Sequence, residues 1–334
     1  MKKILVTGGC GFIGSHLVDR LIKMGYEVSV LDNLSTGKIE NLNPNAELII
    51  GDICDQEIVQ ELCADIDGCF HLAAVASVQK SIEDWFATHT TNQSGTVSLL
   101  EALSKRAHPM RYPFIYASSA AVYGDNANMP LSEDHTTRPL TPYGVDKYAC
   151  EHQVRVAFLT HKISSIGYRF FNVYGPRQDT SSPYSGVISI FINSALHGKD
   201  ITIFGDGQQI RDFTYINDVV EMLIAGLKPN LEDAEIINAC TGRQSTILDI
   251  VKTLSSITQQ KLNIHFQPSR KGDIRTSLGD PSKATGFLNV SAKTVLQEGL
   301  QHILNESSSE MNADNQLIPR ENLFAHTGGS HAIH

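Results

Sequence analysis

The chain has no long apolar run, no closely paired cysteines and no excess of positive charge. No stretch approaches the roughly 18 consecutive apolar residues of a membrane-spanning helix, so none is expected. Residues 1–6 enter a strand-like segment at once and lack the apolar core of a signal peptide. We therefore expect a soluble, cytoplasmic protein with no membrane partner.

Cysteine usage argues against a disulfide framework and against a metal site. The chain has six cysteines without a C-x-x-C pair, and its 334 residues do not need covalent staples to fold. Reduced thiols are expected at Cys10, Cys54, Cys63, Cys69, Cys150 and Cys240. His326, His331 and His334 lack a fixed scaffold, so no metal is expected there.

Charge and size narrow the class of protein further. The net charge of −9 provides no overall positive field for nucleic acid, so local donors must hold any anionic ligand. A chain of this length with 41% hydrophobic residues suits one large or two closely fused globular domains.

Strand-length apolar segments alternate with helical segments through the first half of the chain. The apolar segments lie at 4–7, 27–31, 48–50, 69–72, 114–117 and 165–171, and the first helical stretch at 13–24. This alternation predicts a Rossmann-type, doubly wound parallel sheet of the α/β class. We expect a dinucleotide-binding domain over residues 1–171, to which later segments return, with its site at the carboxyl edge of the strands.

The pattern loosens after residue 171. Residues 172–177 and the Ser/Pro-rich stretch to 186 are predicted to be loop. Helical periods at 188–196, 219–227 and 246–257 then alternate with short strand-like pieces at 201–204, 236–238 and 262–266, which predicts a smaller α/β lobe over 172–305. Residues 306–334 are polar without a stable period, and we expect a disordered tail.

Three glycines follow the first strand and open a helix: Gly8, Gly11 and Gly14. They permit a tight turn and close approach of a pyrophosphate to the helix N-terminus. Asp32 closes the second strand, where its carboxylate can bind ribose hydroxyls and repel a 2′-phosphate, so NAD is favoured over NADP. An aspartate there can also simply end a strand. The expected cofactor contacts here are Gly8, Gly11, Phe12, Ile13, Gly14, Asp32, Asn33, Asp52, Ile53, Leu72, Ala73 and Ala74.

Tyr143 and Lys147 lie four residues apart. In a helix such residues share a face, so the ammonium can stabilise the phenolate and give a base that works near neutral pH. Thr141 and Pro142 are predicted to be the N-cap and first helical residue. An ordinary surface tyrosine and lysine is the alternative reading of so short a motif. After a glycine-rich turn, the pair indicates a proton-transfer centre that also contacts the dinucleotide.

Taken in order, the glycine turn, Asp32, residues 72–74, residues 118–124 and the Tyr143/Lys147 pair resemble the extended short-chain dehydrogenase/reductases. The resemblance covers roughly residues 1–305, and the blocks at 169–176, 205–213 and 270–273 are similar to those of nucleotide-sugar 4-epimerases. It implies that Tyr143 takes the proton of the sugar 4-hydroxyl, with Ser119 and Lys147 as the other catalytic residues. NAD would accept a hydride from C4 and return it to the other face of a bound 4-keto sugar.

One departure from related enzymes narrows the reaction. In the dehydratases and decarboxylases that the chain resembles, an acidic residue precedes the Val-Tyr-Gly run, and here that position is Ala121. Many galactose-type epimerases carry threonine there, so one hydroxyl contact is expected to be missing without loss of activity.

The resemblance implies a nucleotide-sugar site in the 172–305 lobe. Arginine forks and an amide can hold a diphosphate, and an aspartate can bind ribose hydroxyls. The expected substrate contacts are Ser77, Ser119, Asn172, Val187, Phe204, Arg211, Arg270, Asp273 and Ser277. Two competing interpretations remain. Arg211 can form a salt bridge with Asp212, and Val187 and Phe204 can belong to the hydrophobic core.

Sugar choice is expected to depend on Ser277, which lies where galactose-type epimerases resemble one another in carrying a tyrosine or cysteine. A small residue leaves room for a 2-acetamido group, so the UDP-N-acetylglucosamine/UDP-N-acetylgalactosamine pair is favoured. UDP-glucose/UDP-galactose remains an alternative, and so does a UDP-uronate because Lys80 can pair with a carboxylate. The run 77–81 also resembles the N-acetyl subgroup, although Ser77 can simply begin a helix.

By resemblance we expect a homodimer through helices near residues 92–104 and 143–159, with a UDP-sugar as substrate. Two rivals stay open. The chain can be a noncatalytic NAD-binding sensor or scaffold, because fold does not imply function. It can also be a 4-ketoreductase that needs external NADPH, which Asp32 disfavours.

Overall fold

The computed structural model describes residues 1–179, 186–269 and 274–317, with side chains to residue 307. No helix within these ranges is both long and apolar enough to cross a bilayer. The first part of the chain contains β1 (Lys3–Thr7), α1 (Phe12–Lys23), β2 (Glu27–Asp32), β3 (Glu47–Ile50), α2 (Gln56–Cys63), β4 (Gly68–His71), α3 (Val78–Glu83), α4 (Trp85–His89), α5 (Gly95–Ser104), β5 (Phe114–Ser119), α6 (Pro142–His161) and β6 (Ser165–Phe170).

The second part contains β7 (Asn172–Tyr174), α7 (Val187–Leu196), β8 (Ile201–Phe204), β9 (Ile210–Tyr215), α8 (Ile216–Ala225), β10 (Ala234–Ala239), β11 (Gln244–Thr246), α9 (Ile247–Thr258), β12 (Ile264–Gln267), β13 (Thr276–Ser277), α10 (Ser282–Leu288) and α11 (Leu296–Leu317). The loop predicted at 172–177 was wrong for β7, which forms because β9 pairs with it. Helix α11 also continues through 306–317, where an irregular tail was expected.

Seven parallel strands of the described chain form the central sheet, in the order β3-β2-β1-β4-β5-β6-β10. The predicted Rossmann-type α/β fold is confirmed. Successive strands are added on one side of β1 up to β3 and on its other side from β4 onward. The strand order therefore switches between β1 and β4, and the ligand crevice of this architecture lies at the carboxyl ends of these two strands. β10 joins the sheet from beyond residue 171, so the dinucleotide-binding half is not one continuous stretch of sequence.

The sheet is buried on both faces. Along β1, Ile4 and Val6 belong to one core cluster and Leu5 to the other, and all three are at most 1% exposed. Alternate side chains of a strand point to opposite faces, so a strand covered by helices on both sides is apolar throughout. This explains why the strands were evident in the sequence as short uninterrupted apolar runs.

A second, smaller sheet is built around β9. Strand β9 has β11 and β13 beside its first half and β7 beside its second half. Asp212 of β9 is fully buried and accepts hydrogen bonds from Thr241 N and Oγ1, Gly242 N and Gly279 N. One carboxylate therefore fixes β9 to the segments that follow β10 and β13.

A buried polar network joins the two strands next to the site to α6. Arg169 of β6 makes a two-pronged ion pair with Glu151 of α6, at 2.9 and 2.8 Å. Glu151 also accepts from Ser118 Oγ at 2.5 Å, at the end of β5. Because separating a buried ion pair would leave uncompensated charges, this network holds α6 at one height along β5 and β6.

Candidate active site

The glycine turn packs tightly against the loop that follows β4. A side chain on Gly14 would place its Cβ 2.1 Å from Gly8 O, and one on Gly8, at φ +73°, would lie 2.7 Å from Ala73 N. No larger residue fits at either position. The structure therefore brings together the predicted contacts Gly8, Gly11, Gly14, Leu72 and Ala73, and Ala74 follows them in the loop after β4.

The start of α1 presents free amides at this turn. Its N-cap is Gly11, and no described side chain accepts a hydrogen bond from the first-turn N–H groups. Phe12 and Ile13, which open the helix, are partly buried. Uncapped amides at the positive end of a helix dipole suit an anion, so the turn can hold a phosphate group.

The acidic residues predicted after β2 and β3 meet at the same edge. Asp32 is 8% exposed, and its two oxygens accept from Cys10 N at 3.0 Å and Leu34 N at 2.9 Å. Asn33 donates to Asp52 at 3.3 Å, and both are exposed. The neighbouring Ile53 packs in the core at 5% exposure, so only its backbone can take part in a contact there.

His71 at the end of β4 is buried between two threonines. Its Nδ1 lies 2.8 Å from Thr7 Oγ1 and its Nε2 lies 3.0 Å from Thr96 Oγ1. Thr96 donates its own proton to Asn92 O, and Thr7 Oγ1 accepts from Ala73 N. We assign the neutral ring with its proton on Nε2, because only that form satisfies both threonines.

The start of α6 confirms the predicted capping. Thr141 is the N-cap and accepts from Gly144 N at 3.1 Å, and Pro142 is the first helical residue. Tyr143 and Lys147 share the inner face of the helix at 9% and 4% exposure. Lys147 Nζ lies 5.9 Å from the centroid of the Tyr143 ring.

The hydrogen bonds of Tyr143 and Lys147 leave the phenol oxygen and two of the ammonium donors available. Lys147 Nζ donates to Ala117 O of β5 at 2.9 Å, which uses one of its three donors. The Tyr143 hydroxyl makes no hydrogen bond to any described residue, although its backbone N–H does. The arrangement can therefore stabilise an anionic phenol oxygen at the carboxyl edge of the sheet.

Ser119 ends β5, the strand whose Ala117 carbonyl accepts from Lys147. Its Oγ accepts from Ala121 N at 3.1 Å, so the hydroxyl proton remains for another partner. The 3₁₀ turn Ala120–Tyr123 then runs against α6, where a Cβ on Gly144 would lie 2.9 Å from Ala121 O. This close approach brings Ser119 and Tyr143 to one side of the crevice, and Ala121 adds no acid there.

Three predicted substrate contacts meet in the smaller sheet. Arg211 of β9 pairs with Ser277 of β13, and Asn172 of β7 pairs with Phe213, two residues further along β9. Arg211 Nη1 donates to Ile210 O at 2.9 Å. The alternative interpretation, a salt bridge between Arg211 and Asp212, was wrong. The Asp212 carboxylate accepts hydrogen bonds from backbone and threonine donors instead.

The other substrate candidates are placed less closely. Phe204 ends β8 at 36% exposure, and Gln209 Nε2 donates to its carbonyl at 2.6 Å. Val187 begins α7 and packs on the main core. Ser77 is the N-cap of α3, with Oγ accepting from Lys80 N at 3.1 Å. Arg270 and Asp273 lie outside the described residues.

Two buried side chains at the site make contacts that were not predicted from the sequence. Asn92 is fully buried and clamps the loop after β4 through Val75, accepting from its N at 2.8 Å and donating to its O at 3.2 Å. Ser81 is fully buried and accepts from Tyr143 N at 3.2 Å. Their partners lie 17 and 62 positions away, and no local pattern marks such pairs.

Comparisons with known proteins agree with this geometry. A sequence profile described as "NAD dependent epimerase/dehydratase family" matches residues 4–240. The structure of a UDP-glucose 4-epimerase from Thermotoga maritima, with UDP-glucose, aligns with TM-score 0.88 and 38% identity, covering 92% of this chain and 99% of that one.

Two further solved structures are similar over nearly their full length. A UDP-N-acetylglucosamine 4-epimerase from Methanobrevibacter ruminantium, in complex with UDP-N-acetylmuramic acid, gives TM-score 0.88 and 35% identity over 93% of this chain and 99% of that one. A UDP-glucuronic acid 4-epimerase from Bacillus cereus, a mutant with a fluorinated UDP-sugar and NAD, gives 0.84 and 35% over 92% and 99%.

The burial of His71 predicts that the free energy of unfolding depends on pH. Burial, followed by the charge of Lys147, lowers the pKa of His71 from 6.5 to about 3. Below pH 6.5 the unfolded chain binds a proton that the native protein does not, so stability falls as the pH falls towards 3. Between about pH 6 and 4 we expect the free energy of unfolding of wild type to fall, relative to His71→Gln, by about 1.4 kcal/mol per pH unit. Urea denaturation at each pH measures this, and a constant difference contradicts it.

Proposed function

The chain belongs to the NAD-dependent epimerase/dehydratase family, and we propose that within it the protein is a UDP-sugar 4-epimerase that interconverts UDP-N-acetylglucosamine and UDP-N-acetylgalactosamine. The reaction inverts C4 through a transient 4-keto sugar that stays bound. The observation that carries the proposal is the placement of Tyr143 and Lys147 on one face of α6, with Lys147 bound to β5, the strand that ends at Ser119 and belongs to the same sheet as β1.

NAD fits the residues around the glycine turn. The uncapped amides of α1 suit its pyrophosphate, and Gly8 and Gly14 leave the space that close approach needs. Each Asp32 oxygen accepts one amide and has capacity left for a ribose hydroxyl, whereas a 2′-phosphate is repelled. Bound there, NAD supplies an acceptor and donor of hydride.

The protein's own residues handle the proton and the orientation of the sugar. Tyr143 is the base for the 4-hydroxyl, because its hydroxyl is uncommitted among the described residues and a buried ammonium lies on the same helix face. Ser119 donates to the sugar oxygen with the proton that Ala121 N leaves unused. The remaining N–H donors of Lys147 stabilise the phenolate.

The small side chain of Ser277 on β13 supports the assignment of an N-acetylated substrate. Ser277 is the direct neighbour of Arg211, so a group that binds the diphosphate and the residue that limits sugar size share one edge of β9. A serine leaves room for a 2-acetamido group. It does not exclude a hydroxyl, so UDP-glucose and UDP-galactose are accepted more weakly.

Other activities of this family have less support in the site. Ala121 supplies no acid for elimination of water or for loss of a carboxylate. A UDP-uronate needs a cation near the sugar, and Lys80 of α3 is the candidate, three residues after Ser77. A noncatalytic sensor has no use for the complete Ser119, Tyr143 and Lys147 set, and a ketoreductase that depends on NADPH conflicts with Asp32.

We also propose a homodimer, through α5 and α6 with α4 alongside. Large apolar side chains are exposed on the outer side of these helices: Trp85 62%, Phe86 81%, Val97 38%, Val145 46%, Val156 49% and Leu159 53%. An apolar surface of this kind is typical of a protein–protein contact. A second copy is the proposed partner because the pairing of two helices from each copy makes a closed, symmetric interface.

A panel of UDP-sugars tests the proposed activity. Purified protein without added reductant should interconvert the two N-acetylated UDP-sugars, read by separating the 4-epimers.

Tyr143→Phe should lower turnover about 10²- to 10⁴-fold with an unchanged fold, because proton transfer is lost. Tyr148→Phe, one residue past Lys147 on α6, is the matched control. Near-normal turnover of Tyr143→Phe rejects it as the base, and bound NAD with no conversion of any sugar favours a sensor.

Ser277→Tyr tests the size of the sugar pocket. We expect kcat/KM for the N-acetylated substrate to fall at least about tenfold more than for UDP-glucose, because the ring fills the space of the acetamido group. Ser245→Tyr, on the other neighbour of Arg211, is the control for added bulk. Equal losses on both sugars with Ser277→Tyr contradict the assignment.

Sedimentation tests the dimer. Val156→Glu with Leu159→Glu should give a monomer, because two charges would be buried in the apolar interface. Ile50→Glu is the control, since Ile50 is 63% exposed on β3, the edge strand of the central sheet. A wild-type protein that sediments as a monomer at micromolar concentration overturns the proposal.

A further inference from the structure

We infer that Ser81 is a positioning residue for Tyr143, through which the helix that begins at the sugar side holds the base in place. The inference rests on the proposed function, because it assigns Ser81 to the same reaction. It starts from a hydrogen bond between two helices, in which Tyr143 N donates to Ser81 Oγ at 3.2 Å.

The hydroxyl of Ser81 is fully committed. It donates to Val78 O at 2.6 Å within α3 while accepting from Tyr143, and Ser81 is 0% exposed. The Tyr143 N–H is one of the first-turn amides of α6, which have no acceptor inside their own helix. The N-cap Thr141 accepts from Gly144 N, so the amide of the base is left to α3.

A second contact ties the same segment to the next turn of α6. His89 Nδ1 of α4 lies 2.8 Å from Asp146 Oδ1, and Asp146 is 1% exposed. On the other side, Lys147 Nζ donates to Ala117 O of β5. The first two turns of α6 are therefore held between the sheet and the α3–α4 segment, and Ser81 acts on the residue that carries the phenol.

The position of Ser81 on α3 links the proposed sugar site to the backbone of Tyr143. Ser77, one of the proposed sugar contacts, is the N-cap of α3, and Ser81 lies one turn further along. A shift of α3 on the sugar side is passed to the backbone of Tyr143 through this one direct hydrogen bond. A misplacement of about 1 Å in a reacting group can cost about 10²-fold in rate.

Removal of the hydroxyl should therefore affect turnover more than binding. Ser81→Ala leaves the Tyr143 N–H buried without a partner, and we expect kcat, per molecule of bound NAD, to fall at least about tenfold with KM for the UDP-sugar within about twofold. Ser81→Thr restores the hydroxyl and should recover most of kcat. Ser165→Ala is the matched control, because Ser165 is also buried but its Oγ has no hydrogen-bond partner.

The same measurements separate positioning from simple stability. A merely structural role for Ser81 lowers the melting temperature and the amount of NAD-loaded enzyme but leaves kcat per loaded site unchanged, and that result overturns the inference. An equal loss of kcat in Ser165→Ala overturns it as well. If wild type converts no UDP-sugar, the proposed function fails. If wild type is active and Ser81→Ala matches it, only the role of Ser81 fails.

Discussion

The buried ammonium of Lys147 is the constraint around which the site is arranged. The side chain is 4% exposed, and its only described partner is the carbonyl of Ala117, so its charge is not neutralised by a carboxylate. Burial of an unpaired charge costs several kcal/mol unless other groups offset it. A fold retains such a cation where an anion has to be stabilised next to it, and the phenol of Tyr143 is on the same helix face.

The position of that ammonium depends on distant parts of the chain. The Glu151–Arg169 pair sets the height of α6 on β5 and β6, and Thr141 sets where the helix begins. A parallel sheet collects the ends of its strands at one edge, so the glycine turn, Asp32 and Ser119 arrive there from three separate strands. The proposed catalytic group and the proposed cofactor cradle are thus both positioned by the central sheet.

Much of the dinucleotide half could be predicted because its signals are local. A strand buried on both faces is a short apolar run, the cap and the i, i+4 pair are spaced by helix geometry, and Asp32 is fixed by its distance from the glycines. The missed features depend on pairing between distant segments. The short strand β7 exists only because β9 lies beside it, and the acceptor for the Tyr143 amide is a serine 62 positions away in the sequence. Polar composition also failed to predict the helical stretch 306–317, since composition reports hydration and not backbone conformation.

The proposed control of sugar size by residue 277 rests on how firmly its backbone is held. Before Ser277, the carbonyl of Arg275 accepts from Ile210 N at 3.0 Å, and after it Gly279 N donates to the buried carboxylate of Asp212 at 3.3 Å. Both partners belong to β9, the strand that carries Arg211. A larger side chain at 277 cannot be relieved by a shift of β13, because the shift would leave a buried carboxylate with fewer donors. A larger side chain at position 277 therefore reduces the space beside Arg211. Steric selection of a sugar substituent requires such a rigid wall.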